Sequence, residues 1–257
     1  MQAALIGASG FVGGNLPHDL FTDLFRSTNI EDIKGKSYDL VVCAGAPAAK
    51  WKANQDPEGD LANLQRLMAC LAQVKTKQFL LISTVDVYHT PIGVDEDTPI
   101  EPEKTQPYGK HRYFLETFVR DKFPDSSIVR LPGLFGQGLK KNIIFDLIHR
   151  NALHLTHADS WFQFYSLDHL WRDVAIPLRE RMPLVNFATE PVQVRQMARE
   201  CFGEDFNNIP NTPPARYDMQ TKFAKIFGAE GPYLYTAKQI FDEIRLFAAQ
   251  TKAKATA

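Results

Sequence analysis

Met1-Gln-Ala-Ala-Leu-Ile6-Gly7-Ala-Ser9-Gly10-Phe11-Val12-Gly13-Gly14 opens the chain, and how this stretch is read decides the fold. Ala3 to Ile6 has the length and composition of a buried parallel strand. Glycines three apart follow it, and the Phe11-Val12 pair begins a segment that reads as a helix. Such a loop is needed where another group comes close. Gly7 permits the tight turn off the strand, and Gly10 lets a pyrophosphate reach the backbone. Gly13 lets the helix pack on the strand, and the helix N-terminus then offers free N–H groups to the phosphates. With a strand before it and a helix after it, the loop of Gly7, Ser9, Gly10, Phe11, Val12 and Gly13 points to dinucleotide binding.

Working outward, strand-like and helix-like segments alternate through the first half of the chain, the mark of βαβ units. Thr22 to Arg26 reads as a second strand, reached through an unusually short helix. Asp39 to Cys43 reads as a third strand, ending in the small-residue turn Ala44-Gly45-Ala46. Leu61, Leu64, Leu67, Met68, Leu71 and Val74 recur at helical spacing. Gln78 to Ile82 is a fully apolar strand. A Pro-rich acidic loop then leads to a helix opened by Pro107, and Ser127 to Arg130 is the next strand. Beyond Pro132 the pattern loosens, apart from a helix at 142–150, an aromatic extended run at 161–167 and an amphipathic helix at 238–249, before a tail expected to fray.

The expected fold is α/β, a Rossmann-type doubly wound parallel sheet with a small C-terminal substrate lobe. Residues 1–135 form the core, completed by about 160–190, and 136–160 with 191–257 form the lobe. At 257 residues this suits one large domain with an appendage. A net charge of −1, with no long basic run, argues against nucleic acid or anionic membrane as partner. Cys43, Cys70 and Cys201 are widely spaced and read as reduced thiols of a cytoplasmic protein. No segment has the ~20 apolar residues of a membrane helix. His154 and His157 lack the context of metal ligands, so no metal is expected.

Two further segments narrow the reading. They are Ile82-Ser83-Thr84-Val85-Asp86-Val87-Tyr88 at a strand end and Pro107-Tyr108-Gly109-Lys110-His111-Arg112. Together with the glycine loop and Arg130-Leu-Pro132-Gly133-Leu-Phe-Gly136, they resemble the extended short-chain dehydrogenases/reductases, which include nucleotide-sugar epimerases, dehydratases and reductases. The resemblance runs from Met1 to about Asp173. It implies that Ala44, Gly45 and Ala46 line the adenosine side with Asn63, and that Ser83 contacts the cofactor. Thr84 falls on the position that holds a substrate oxygen, Tyr108 on the acid/base tyrosine, and Pro132 and Gly133 on the turn beside the nicotinamide. It also implies a homodimer formed through the helices near 61–74 and 108–120.

The chemistry fits these residue types. Hydride transfer to a carbonyl needs a proton donor at the developing oxyanion and a hydroxyl to fix that oxygen. A tyrosine titrates near ~10, so a base role at neutral pH needs a neighbouring cation. The family pattern places a lysine four residues after the tyrosine, on the same helix face. Here Arg112 stands there, expected to fill the lysine's electrostatic role and to orient the ribose.

Arg26 and Ser27 close the second strand where a basic residue accommodates a 2′-phosphate, which favours NADP over NAD. Asp32 is placed near the adenine amino group. Asp86, Lys141 and Asn142 are placed as substrate contacts, the alternatives being a turn cap for Asp86 and a helix N-cap for Asn142. Val85 replaces the first acid of the pair that follows the threonine in sugar dehydratases, which weakens that reading. The expected activity is an NAD(P)-dependent oxidoreductase acting on a carbonyl or hydroxyl of a free or nucleotide-linked sugar. The alternatives are an epimerase that retains NAD and a catalytically silent NAD(P)-binding sensor.

Overall fold

The computed structural model describes residues 1–256, with side chains described through residue 253. The chain divides into two compact units. Residues 1–89, 96–131 and 169–186 form the first; 90–95, 132–168 and 187 onward form the second.

The first unit is built on a six-stranded sheet. With elements numbered along the whole chain, its strands are β1 (Ala3–Ile6), β2 (Asp23–Phe25), β3 (Ser37–Cys43), β4 (Lys75–Thr84), β6 (Ser126–Leu131) and β10 (Leu184–Asn186). Their spatial order is β10-β6-β4-β3-β1-β2. Every pairing is parallel. Continuous apolar runs suit strands covered on both faces, and Val41 to Cys43 and Phe79 to Leu81 are buried accordingly.

Its helices are α1 (Lys50–Gln55), α2 (Pro57–Leu71), α3 (Pro107–Lys122) and α5 (Leu170–Glu180). Both long helices begin with proline at a position where a missing N–H costs nothing. At α2, the Asp56 side chain caps the helix by accepting from the Gly59 N–H at 3.0 Å. Leu64, Leu67 and Leu71 of α2 and Leu115 and Val119 of α3 pack with Ile6, Val41, Phe79 and Leu81 into one core.

The first crossover departs from expectation. No α-helix follows the glycine loop, only single 3₁₀ turns at Gly13–Asn15 and His18–Leu20. Pro17 explains this. A proline cannot donate to a helix, and it disfavours helical backbone in the residue before it. Leu16 is accordingly extended, at φ −91° and ψ 150°. Phe11 and Val12 therefore lie in a turn rather than at a helix start.

In the second unit three two-stranded ladders form: β5 (Ile92–Val94) with β12 (Asp218–Met219), β7 (Gly133–Phe135) with β9 (Phe164–Ser166), and β8 (Trp161–Phe162) with β11 (Val192–Gln193). Buried Gln163 ties two segments together. It donates to the carbonyls of Thr189 and Met219 and accepts from the Met219 N–H at 2.7 Å. Helices α4 (Ile143–His149), α6 (Val194–Phe202) and α7 (Ala237–Thr256) complete the unit. The helix expected at 238–249 thus continues through the tail to Thr256, and Ala257 lies outside the described residues. Cys43, Cys70 and Cys201 are free thiols, and burial pushes Cys43 up to about 11 and Cys201 to about 12. Among the described residues, no helix is long and apolar enough to cross a membrane.

Candidate active site

The carboxyl ends of β1, β2 and β3 open onto a cleft of about 310 Å³, lined by Gly7, Arg26, Ser27, Gly45, Lys52 and Arg66 among others. That places it at the lower end of ligand-pocket sizes. Gly7 has φ +85°, and a Cβ there would lie 2.3 Å from the Ala44 carbonyl oxygen. A Cβ on Gly13 would lie 2.2 Å from the Gly7 oxygen. Gly7 therefore lets the loops after β1 and β3 meet, and Gly13 packs on its own loop rather than seating a helix.

Ser9 and Gly10 are exposed. Phe11 and Val12 are half-buried, and among the described residues their N–H groups have no acceptor. Two open backbone donors in a glycine turn suit the phosphates of a dinucleotide, although no helix dipole backs them. Asn63 lines the cleft and donates to the Gly59 carbonyl at 2.8 Å. Ala46 packs on the core instead. Asp32 lies exposed on a 3₁₀ turn outside the cleft lining, whereas Ile30 on the same turn lines it.

At the end of β4 and the start of α3, the structure brings Thr84 and Tyr108 together. The Thr84 hydroxyl stands beside the Tyr108 phenol, near enough to favour its ionised form. Burial is the largest influence on the Tyr108 phenol and holds its pKa above the ordinary value. Arg112, Lys50 and the neighbouring Thr84 hydroxyl pull it down, while Asp86 pushes it up. In the protein alone the phenol is thus held in its neutral, proton-donating form.

Arg112 stacks on Tyr108, its guanidinium carbon 4.0 Å from the ring centroid. It is 2% exposed. Nη1 donates to Asp60 Oδ2 at 2.5 Å and to the Tyr108 carbonyl at 3.3 Å, and Nη2 donates to the Pro47 carbonyl. The fork expected to orient a ribose is instead spent on protein acceptors. Asp60 also accepts from His111 Nδ1 at 2.8 Å.

Asp86 sits two residues past Thr84. Its N–H donates to Thr84 Oγ1 at 3.2 Å, and its carboxylate pairs with Lys50 Nζ at 2.6 Å. Ser83 is turned from its expected cofactor contact. It shares the face of Phe79 and Leu81, which pack on α3, and its hydroxyl donates to Glu116 Oε1 at 2.6 Å.

In the second unit, Pro132 is buried and Gly133 heads β7 opposite Phe164. A Cβ on Gly133 would lie 2.8 Å from the Gln163 carbonyl oxygen, so glycine there serves close packing. Lys141 is exposed. Asn142 caps α4. Its Oδ1 accepts from the Phe145 N–H at 3.0 Å and its Nδ2 donates to the Leu134 carbonyl at 2.9 Å. Both ends of that amide are committed to the protein, which leaves the N-cap role rather than the expected substrate contact. The arrangement holds the Asn142 backbone at φ 125°, a region other residues avoid.

Sequence reasoning missed Lys50, Asn54, Asp60, Lys52 and Arg66. Asp60 carried a signal: it lies four residues before Leu64 and seven before Leu67, an acid on an apolar stripe that needs a buried cationic partner. Lys50 carried none, since a lone lysine after a small-residue loop reads as surface.

No curated protein sequence matches the chain at a significant level. Solved structures share the fold. UDP-glucose 4-epimerase from Thermotoga maritima aligns at 15% identity and TM-score 0.73, covering 99% of this chain and 100% of its own. The dTDP-4-dehydrorhamnose reductase of Bacillus anthracis, in complex with NADP, aligns at 16% and 0.71, covering 97% and 99%. A dTDP-4-dehydrorhamnose reductase from Clostridium acetobutylicum aligns at 18% and 0.71, covering 98% and 100%. Residues 20–160 match the family described as NAD dependent epimerase/dehydratase, and with more than half of its length matched, the chain belongs to that family.

Proposed function

We propose that the protein is an NADP-dependent oxidoreductase that reduces a keto group on a sugar, free or nucleotide-linked, with Tyr108 as proton donor. The observation that carries this reading is that the Thr84 hydroxyl stands beside a Tyr108 phenol that burial keeps protonated. When bound, a reduced nicotinamide supplies hydride to the carbonyl carbon. Tyr108 gives its proton to the oxygen as negative charge develops, and the Thr84 hydroxyl holds that oxygen by a hydrogen bond. Arg26, Ser27 and Arg66 along the cleft favour a cofactor carrying an additional phosphate.

The test is NADPH consumption across a panel of keto-sugars, with Tyr108→Phe as control. Consumption lost in Tyr108→Phe supports the reading. Consumption retained there, or absent across the whole panel, removes it.

A second reading, an epimerase that keeps its cofactor, is supported by the family match. Tightly held NAD in the ultraviolet spectrum of the purified protein would favour it and would count against Arg26 as a phosphate contact. Homodimerisation through α2 and α3 belongs to both readings, supported by Phe114, 48% exposed on α3. Phe114→Glu is expected to shift the protein to monomer on size exclusion.

A further inference from the structure

In the family pattern, the cation that serves the tyrosine stands one helical turn further along α3. In this chain that position holds Arg112, which is buried and bonded to Asp60, Pro47 and the Tyr108 backbone. A second cation comes from α1, where Lys50 pairs with Asp86. That helix docks on the first turn of α3, where Asn54 Oδ1 accepts from the Tyr108 N–H at 3.0 Å. Lys50 lies four residues before Asn54, on the same face of α1. Its ammonium is 2.6 Å from Asp86 Oδ1. Asp86 in turn donates its N–H to Thr84, and its backbone presses on α3 so closely that a Cβ on Gly109 would lie 1.8 Å from its carbonyl oxygen. Two independent contacts thus pin α1 against the Thr84–Tyr108 pair, one to Tyr108 itself and one through Asp86.

We propose that Lys50 is the positioning cation of Tyr108, taking from α1 the electrostatic place that the family's pattern gives to a lysine on α3. The proposal rests on the reading of Tyr108 as the proton donor. Charged groups surround the phenol from each packed element: Lys50 on α1, Asp60 on α2 behind Arg112, Asp86 after β4, and His111 and Arg112 on α3 itself. Lys110, also on α3, is taken by Glu103. Asp86 disfavours the phenolate, and Lys50 offsets Asp86. Arg112 favours the phenolate but is itself tied to the Asp60 carboxylate. Lys50 is therefore the cation whose removal takes an ion pair from the negative charge of Asp86 beside Tyr108. Its side chain is 42% exposed, so its effect is screened.

The test replaces Tyr108 with 3,5-difluorotyrosine, whose phenol is more acidic, so that its fluorine resonance titrates where the protein stays folded. Adding Lys50→Met is expected to raise the midpoint by about one pH unit. Lys50→Arg should keep the unmodified midpoint, and Asp86→Asn should lower it. An unmoved midpoint in a folded Lys50→Met protein overturns the proposal, whatever Tyr108→Phe does to turnover. A moved midpoint upholds it even if Tyr108→Phe retains activity, in which case only the proton-donor reading falls.

Discussion

The Arg112 guanidinium lies 4.0 Å from the Tyr108 ring centroid while its donors hold Asp60, so one residue links Tyr108 of α3 to the buried acid of α2. A lysine in its place brings the same charge without the fork. It cannot serve Asp60 and the Pro47 carbonyl together. We expect Arg112→Lys to lower unfolding free energy by about 1–3 kcal/mol, the cost of a buried polar group left without its partner. Arg112→Met should cost about 3–5 kcal/mol, because buried Asp60 then loses its arginine and keeps only the His111 hydrogen bond. Chemical denaturation measures both. A lysine variant as stable as the parent would show that the fork holds nothing.

The state of Tyr108 sets a pH dependence. Its pKa lies above the ordinary value, chiefly through burial, so the phenol is protonated across the neutral range. Reduction consumes the protonated form. Its kcat/KM is therefore expected to stay level through neutral pH and to fall only on the alkaline side of a free tyrosine. The reverse oxidation needs the phenolate and should rise with pH over the whole range. The same sign governs stability. With the folded-state pKa raised, the contribution of Tyr108 is complete below the unfolded value near ~10 and is lost as pH rises through the folded one. A reductive rate that climbs between pH 6 and 9 would contradict this assignment.

What the sequence made legible follows from which signals are local. The strand Ala3–Ile6 and the centre of Lys75–Thr84, Phe79 to Ile82, are short apolar runs, and each declares itself without help from distant residues. Thr84 and Tyr108 stood out because their motifs lie at the ends of such elements. The helix after the glycine loop was misread although Pro17 stood in plain view, because the strand-glycine-helix pattern outweighed it. The bonds of Ser83, and the choice between the two readings of Asn142, were not legible for another reason. Their hydroxyl and amide are consumed by Glu116, and by Phe145 and Leu134, and those bonds depend on packing. Lys50 was invisible because its partner Asp86 lies thirty-six positions away.

In the proposed reading, cofactor choice follows from the basic side of the cleft. Arg26 is exposed at the end of β2, and Arg66 on α2 lines the same space while its Nε donates to Glu31 Oε1 at 2.9 Å. A charge-assisted hydrogen bond is worth about 1.5–3 kcal/mol. Arg26→Ala should therefore weaken NADPH binding by about 10- to 100-fold and leave NADH binding nearly unchanged. Arg66→Ala should act in the same direction and less, since Glu31 already occupies part of its guanidinium. Nicotinamide fluorescence titrations at two salt concentrations read both effects, and the NADPH preference should shrink as salt rises. Equal losses for the two cofactors would assign Arg26 to general attraction rather than to an added phosphate.

Behind the site, α3 is tied to β6 by a buried pair. Glu116 has no exposed surface and Arg130 is 2% exposed. Glu116 Oε1 accepts from Arg130 Nε at 3.0 Å and from Ser83 Oγ at 2.6 Å; Oε2 accepts from Arg130 Nη2 at 2.7 Å and from Arg120 Nη2 at 2.8 Å. The remaining Arg130 nitrogen donates to the Tyr88 hydroxyl at 2.8 Å. Burial works against the Arg130 charge, and the facing carboxylate outweighs it, so the guanidinium stays charged. Removing one partner leaves a buried ion alone. Glu116→Leu and Arg130→Met are each expected to cost about 3–5 kcal/mol, because burying an unpaired charge exceeds what a satisfied pair contributes. The double variant Glu116→Leu with Arg130→Met removes both charges and should cost clearly less than the two single changes summed. A double-mutant cycle by urea denaturation gives that coupling. Additive losses would mean that the two side chains act as separate packing residues, and that α3 is held to the sheet by its Leu115 and Val119 face alone.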